Sequence, residues 1–375
     1  MHASLRFAFA ILAASLSASA REWRITSAAE FAAAAAQPGD SIVWAAGRYT
    51  DVTMRVKMQG TEAAPITLRA EKAGSVIFTG ASQLEARGAW LVIEGLTFEA
   101  TTIDPIVLRD VEHCRVTACT VRACNPEGVR LHYLRLGGSR SADNRVDHCT
   151  FEDKRTDGVM LVVDGDEGKL TLRTQIDHNV FRGVIKAVRN GMEAVRIGDS
   201  GFQHIDAQTV VEENRFEDCR GDAEVVSVKS SANIIRGNIF TGCDGAAIVL
   251  RHGDRNVVEA NRIDGQERPR AGGIRVHGTG HVVRGNVIER TGTFAIALPA
   301  GNSKIKETGH APVTDALIEG NTITNPKGAV FVLGEPHDDK KKQDTAPTSV
   351  VFRKNSFGAE KATFFLRTEG GVKWE

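Results

Sequence analysis

The sequence predicts an all-β protein, a single-stranded right-handed parallel β-helix with a short helix capping its N-terminal end. Three observations carry this. An Asn-x-(Phe/Ile/Val) signature recurs at Asn179, Asn214, Asn238, Asn261, Asn286, Asn321 and Asn355, at intervals of 35, 24, 23, 25, 35 and 34 residues. Such periods mark a solenoid whose coils sometimes carry an inserted loop. Between the anchors lie short runs such as AAIVL, HVVRGNVI and AVFVL, bounded by Gly, Asn and Asp. They are strand signals, too short for helices. Finally, there are 37 glycines while aromatics make up only 6% of the chain, which suits tight turns and stacked small side chains.

Taken in order, residues 1–20 (MHASLRFAFAILAASLSASA) carry a basic Arg6, an apolar core from Phe7 to Leu16 and a small-residue end at Ala18-Ser19-Ala20. This pattern is that of a signal peptide cleaved after Ala20, so the expected product is exported, periplasmic or secreted. No apolar stretch is long enough to span a bilayer. Residues 21–375 are expected to form one β-helix domain, since a solenoid grows by adding coils. Ser27 to Ala36 reads as a helix with Ser27 as N-cap and Glu30 completing a capping box. Its expected role is to cover the open end of the first coil. Pro38-Gly39-Asp40 then turns the chain into the strand-and-turn alternation of the body.

Forty-seven basic and 47 acidic side chains give zero formal charge, which argues against a nucleic-acid partner and permits a local basic groove. Oligomeric state is left open. Cys114, Cys119, Cys124, Cys149, Cys219 and Cys243 contain no Cys-x-x-Cys pair, which excludes a zinc ribbon. Cys219 and Cys243 each fall five residues after an anchor Asn, so a stack of internal thiols is expected rather than disulfides.

Stacked coils lie about 4.8 Å apart, so residues at equal offsets from their anchors become neighbours. Asn190 falls at offset 11, Asp222 at 8, Glu224 at 10, Lys229 at 15, Arg251 at 13 and Arg275 at 14. Two clusters are expected. Asn190 and Glu224 stack with Asp222 beside them, and Lys229, Arg251 and Arg275 form a basic row on three successive coils.

The segments PGDSIV, PITLRAE, DHCTF, NGMEAVRIGDS, EVVSVKS and LRHG together resemble polysaccharide lyase family 6, over nearly the whole mature chain. That family comprises alginate lyases and the dermatan-sulfate-cleaving chondroitinase B on a right-handed β-helix. The resemblance implies calcium ligands at Asn190, Asp222 and Glu224, a catalytic base at Lys229 and a catalytic acid at Arg251. Asp222 stands where the family commonly has Glu, one methylene longer.

This chemistry is coherent on its own terms. Eliminating a 4-linked uronate removes a weakly acidic C5 proton beside an ionised carboxylate, so that carboxylate must first be neutralised. A calcium ion held by oxygen ligands would do so, and chelation is then expected to abolish turnover. Lys229 would serve as base with its pKa lowered by nearby positive charge. Because a guanidinium stays protonated, Arg251 reads first as an electrostatic clamp. Arg275, His252 and His277 are candidates for contacting adjacent sugars, Lys154 for lining the groove, and His281 for a structural place in the HVV strand. Glu193 and Arg196 read equally well as a brace for the Asn190 loop.

Two other classes compete. A β-helix glycoside hydrolase would use Asp222 and Glu224 as paired carboxyls, and a carbohydrate-binding solenoid would need no turnover. The Lys and Arg row favours elimination. Alginate is the expected anionic substrate, since one carboxylate per sugar matches cations on successive coils, with dermatan sulfate as the alternative.

Overall fold

The computed structural model describes residues 20–185, 188, 190–304, 309–336, 343–358, 364–366 and 371–375. The expected leader therefore lies, up to residue 19, outside the described residues. Among the described residues the chain winds through three long sheets of 14, 13 and 12 strands, and each strand pairs in parallel with its counterparts on the neighbouring coils, except Gln343–Thr345, which joins the 13-stranded sheet antiparallel to Phe294–Asn302. The predicted parallel β-helix is the observed fold.

One coil shows why. In the 14-stranded sheet Gln175–Asp177 buries Ile176 between two polar residues, and in the 12-stranded sheet Val180–Ile185 buries Phe181 and Val184. Between these strands His178 takes a left-handed φ of 55°, and Asn179 follows it. That corner costs backbone hydrogen bonds, which the anchor restores. The Asn214 Oδ1 accepts both the backbone N–H and the Nδ2 of Asn179, at 2.9 and 3.0 Å. The same double bond links Asn214 to Asn238, Asn238 to Asn261, Asn261 to Asn286, Asn286 to Asn321 and Asn321 to Asn355. All seven anchors stand in one column, as the period requires, and all but the last, Asn355, are buried. Leaving one such group unpaired would cost about 1–3 kcal/mol.

Inside the coils Phe151, Phe181, Phe216 and Phe240 stack in register with ring centroids 5.0, 5.0 and 4.5 Å apart. The six cysteines are free and buried. Cys149 takes a ladder position, its backbone N–H donating to Asn179 Oδ1 at 2.9 Å. A second ladder runs through Asn233 and Asn256. It ends on His281, whose Nδ1 accepts from the Asn256 N–H at 3.1 Å. Burial pushes that imidazole down to about 4, so it stays neutral and able to accept.

The N-terminal helix spans Ala28–Ala33, shorter than the run to Ala36, with Ser27 as N-cap accepting from the Glu30 N–H. The Glu30 carboxylate returns to Thr26, one residue before the cap, taking its N–H at 2.6 Å and its hydroxyl at 2.8 Å. Phe31 is buried and stacks on Trp44 of the first full coil, ring centroids 5.9 Å apart. No helix among the described residues is long and apolar enough to cross a membrane.

Candidate functional site

The site stands on the outer face of the sheet that contains Val195–Ile197, Glu224–Lys229, Gly245–His252 and Ala271–Val276. In Glu224–Lys229 the alternation sends Val226 and Val228 inward, so Ser227 and Lys229 face out. Against the next strand the register slips: Val228 pairs with Leu250 but Lys229 pairs with His252. Arg251 is the extra residue, and such a bulge re-aims a side chain. Its guanidinium swings over Glu224, Nη1 donating to Oε1 at 2.8 Å.

Glu224 is the hub. Its Oε1 also accepts from Arg275 Nη2 at 2.6 Å, and its Oε2 accepts from Ser227 Oγ at 2.5 Å. Burial alone pushes this carboxyl up, but Arg275 and Arg251 more than reverse that and hold it at about 2. A carboxyl so firmly ionised is a poor proton donor, and with both oxygens bonded inside the protein it is also poorly placed to act as the nucleophile or base of a hydrolase pair.

Lys229 and Arg251 keep side-chain exposures of 13% and 22%, enough to meet a substrate. Burial lowers the Lys229 pKa, against the opposing charges of Glu193 and Glu224. Glu193 Oε1 lies 3.7 Å from Lys229 Nζ. Glu193 is buried, and burial raises its carboxyl.

A family model described as Chondroitinase B matches residues 25–356. The chain belongs to the chondroitinase B family. It is a polysaccharide lyase acting on an anionic polysaccharide, and family 6 solved structures share its fold. This lyase superposes at TM-score 0.80 on a mannuronic acid specific polysaccharide family 6 lyase from human gut microbiota, with 27% identity over 90% of this chain and 83% of that one. It superposes at TM-score 0.81 on the PL6 family alginate lyase AlyGC, with 26% identity over 94% of this chain and 53% of that one, so it spans about half of AlyGC. The family 6 lyase Pedsa3628 from Pseudopedobacter saltans, 22% identical, shares the fold at TM-score 0.77 over 94% of this chain and 92% of that one. No curated protein sequence matches the lyase.

The two carboxylates expected to bind calcium are each engaged by protein donors in this lyase. Asp222 Oδ2 accepts the backbone N–H groups of Gly191 and Met192 at 2.7 and 3.2 Å, and its Oδ1 accepts that of Ala223 at 2.7 Å. Glu224 has both oxygens bonded, two of its three donors being guanidinium groups. Asn190 is exposed. Among the described residues no three His, Cys, Asp or Glu side chains come together as a metal site. Asp222 thus faces backbone N–H groups and Glu224 faces protein cations, so a calcium ion held by Asn190, Asp222 and Glu224 would have to displace or share those donors. Register explains the misplacement of Asn190. Val195 pairs with Val226, which sets Glu193 and not Asn190 opposite Glu224, because the insertion after Asn179 forms a loop before the strand resumes.

Four further expectations are corrected. Arg275 pairs with Val249 rather than Arg251 and is buried beneath Glu224, so it braces the hub and offers no guanidinium to a sugar. His252 and His277 are buried, at 2% and 0% exposure. His252 Nε2 lies 3.2 Å from Ser200 Oγ, and His277 stacks on His310 with centroids 4.3 Å apart. Lys154 is fully buried, its Nζ donating to the Leu131 carbonyl at 2.7 Å beside the Tyr133 ring. The cause is Asp153, whose left-handed φ of 56° reverses the alternation and turns the next side chain inward. Ser227 was not anticipated. Its signal is a polar residue alternating with inward valines in EVVSVKS.

Proposed function

We propose that this lyase cleaves 4-linked polyuronates, alginate first among them, by β-elimination, with Lys229 as base and Arg251 as electrostatic clamp. The supporting observation is that a desolvated lysine and a guanidinium share one partly open rim around the ionised Glu224. The neutral Lys229 amine takes the C5 proton. The electron pair left behind passes through the enolate of the carboxylate and forms the C4=C5 bond as the C4–O4 bond breaks. Guanidinium donors fixed before the reaction stabilise that enolate without reorganising. The departing O4 takes its proton from the Lys229 ammonium or from water, since Arg251 stays charged. One product carries a new reducing end and the other an unsaturated uronate.

Alginate is supported by the two relatives above, described as mannuronic acid specific and as an alginate lyase. The description of the matching family supports dermatan sulfate as the second reading. Export of the chain belongs to the same proposal, with N-terminal sequencing of the mature protein as its check. The decisive assay incubates the purified protein with alginate and with dermatan sulfate and follows unsaturated ends by ultraviolet absorbance. Unsaturated products from dermatan sulfate alone would overturn the substrate and keep the reaction. Absence of product from any polyuronate would overturn the reaction.

A further inference from the structure

The basic row does not continue toward the C-terminal coils, where Arg275 is buried and Ala297 follows it in register. It runs the other way. Arg135, Val162, Arg196 and Ser227 are consecutive partners in one outward column of the catalytic sheet. Val162 between the two arginines is buried, while Arg196 is half-buried and Arg135 exposed.

The charge at Arg196 is incompletely balanced. Among the described residues Arg196 has no carboxylate within salt-bridge distance, and its buried Nε has no hydrogen-bond partner. Arg130, nearby, meets Asp157 only at 3.8 Å, and Arg135 meets Asp164 at 3.2 Å. His132 registers the excess. After burial, Arg196, Arg135, Arg130 and Lys154 in turn push its imidazole down to about 3.

We infer that Arg196 and Arg135 form a carboxylate-binding track extending from Lys229 toward the N-terminal coils, which holds uronates of the bound chain at every second sugar. The spacing argument is simple. Two inter-strand steps separate the arginines, about 10 Å, and a pyranose in an extended 1,4-linked chain is about as long as one such step. In a ribbon whose successive rings face opposite ways, carboxylates on one side recur every second sugar. Uronates alternating with another sugar give the same repeat. The shared chemistry is thus a carboxylate at a two-sugar period, from a homopolymeric or an alternating uronate chain.

This track rests on the lyase reading, and its test separates the two. The test compares wild type, Arg135→Ala and Arg135→Lys on oligomannuronates, from the shortest that wild type cleaves up to an octamer, and on a dermatan sulfate octasaccharide. Arg135→Ala is expected to raise KM for the octamer of the preferred polymer roughly tenfold, the worth of one charge-assisted hydrogen bond, with kcat kept. The shortest oligomer should show no change, and Arg135→Lys should recover part of the loss. An unchanged octamer KM, or an equal change at both lengths, overturns the track. If wild type yields no unsaturated ends, the lyase reading fails, and calorimetric binding of the same octamers still decides the track: equal affinity for wild type and Arg135→Ala overturns it.

Discussion

The Glu193 carboxylate stands 3.7 Å from the Lys229 amine, close enough for charge to act and too far for a hydrogen bond. Its second oxygen is buried and has no hydrogen-bond partner. Glu193 therefore sets the electrostatic environment of the lysine without clamping it, and Lys229 stays free to turn toward a proton.

A pH prediction comes from this pair. Burial lowers the Lys229 pKa and the Glu193 charge opposes that lowering. Since the reactive amine is the deprotonated form, kcat rises as pH rises through this pKa. Glu193→Gln removes the opposing charge, lowers the pKa further and moves the rising limb to more acidic pH. A kcat profile that stays in place, or moves to alkaline pH, contradicts this role.

Metal removal is a second test. With both oxygens of Glu224 and of Asp222 already bonded inside the protein, turnover is expected to survive exhaustive chelation. If chelation abolishes activity and calcium alone restores it, Arg251 or Arg275 must leave Glu224 to admit the ion.

The two arginines on Glu224 should separate by the kind of damage they do. Arg251→Ala and Lys229→Ala are expected to remove nearly all turnover and leave thermal unfolding close to wild type. Arg275→Ala removes the buried one of the two guanidinium groups on Glu224 and should cost about 1–3 kcal/mol of stability in urea titration, along with activity. Equal stability for Arg251→Ala and Arg275→Ala would mean that Arg275 does not carry the hub.

Lys154 allows a stability test far from the chemistry. Burial pushes its amine down to about 8, below the ordinary value near ~10.4 in an unfolded chain. Between those values the unfolded chain holds more protons, so stability rises with pH. Lys154→Met should flatten the slope of Tm against pH across that window. A variant with the wild-type slope would show that the amine is not buried.

The solenoid was legible because its constraint is repeated: the anchor Asn recurs at the same corner of seven successive coils, from Asn179 to Asn355. Lys229, Glu224 and Arg251 were legible because all lie within coils free of large insertions. The errors have local causes that a count of offsets does not carry. One extra residue at Arg251 slides Arg275 under Glu224, and a loop before Val195 shifts Asn190 three residues out of register with Glu224. Counting backward from the strand Val195–Ile197 would have placed Glu193 there. Lys154 was misread because charge was taken to mean outward, although its register partner Val184 and, a coil later, Cys219 are interior residues.

The asparagine column has a direction. In each of its six steps the N–H and the side-chain amide of one anchor donate to the carbonyl oxygen of the anchor on the following coil, from Asn179 to Asn355. A newly wound coil thus ends with two hydrogens unclaimed until its successor arrives. Winding from the N-terminal end, the order in which a chain emerges during synthesis, satisfies these corners one after another and leaves only the growing tip open. The ladder acts as a ratchet for assembly, with the helix at Ala28–Ala33 closing the end from which winding starts.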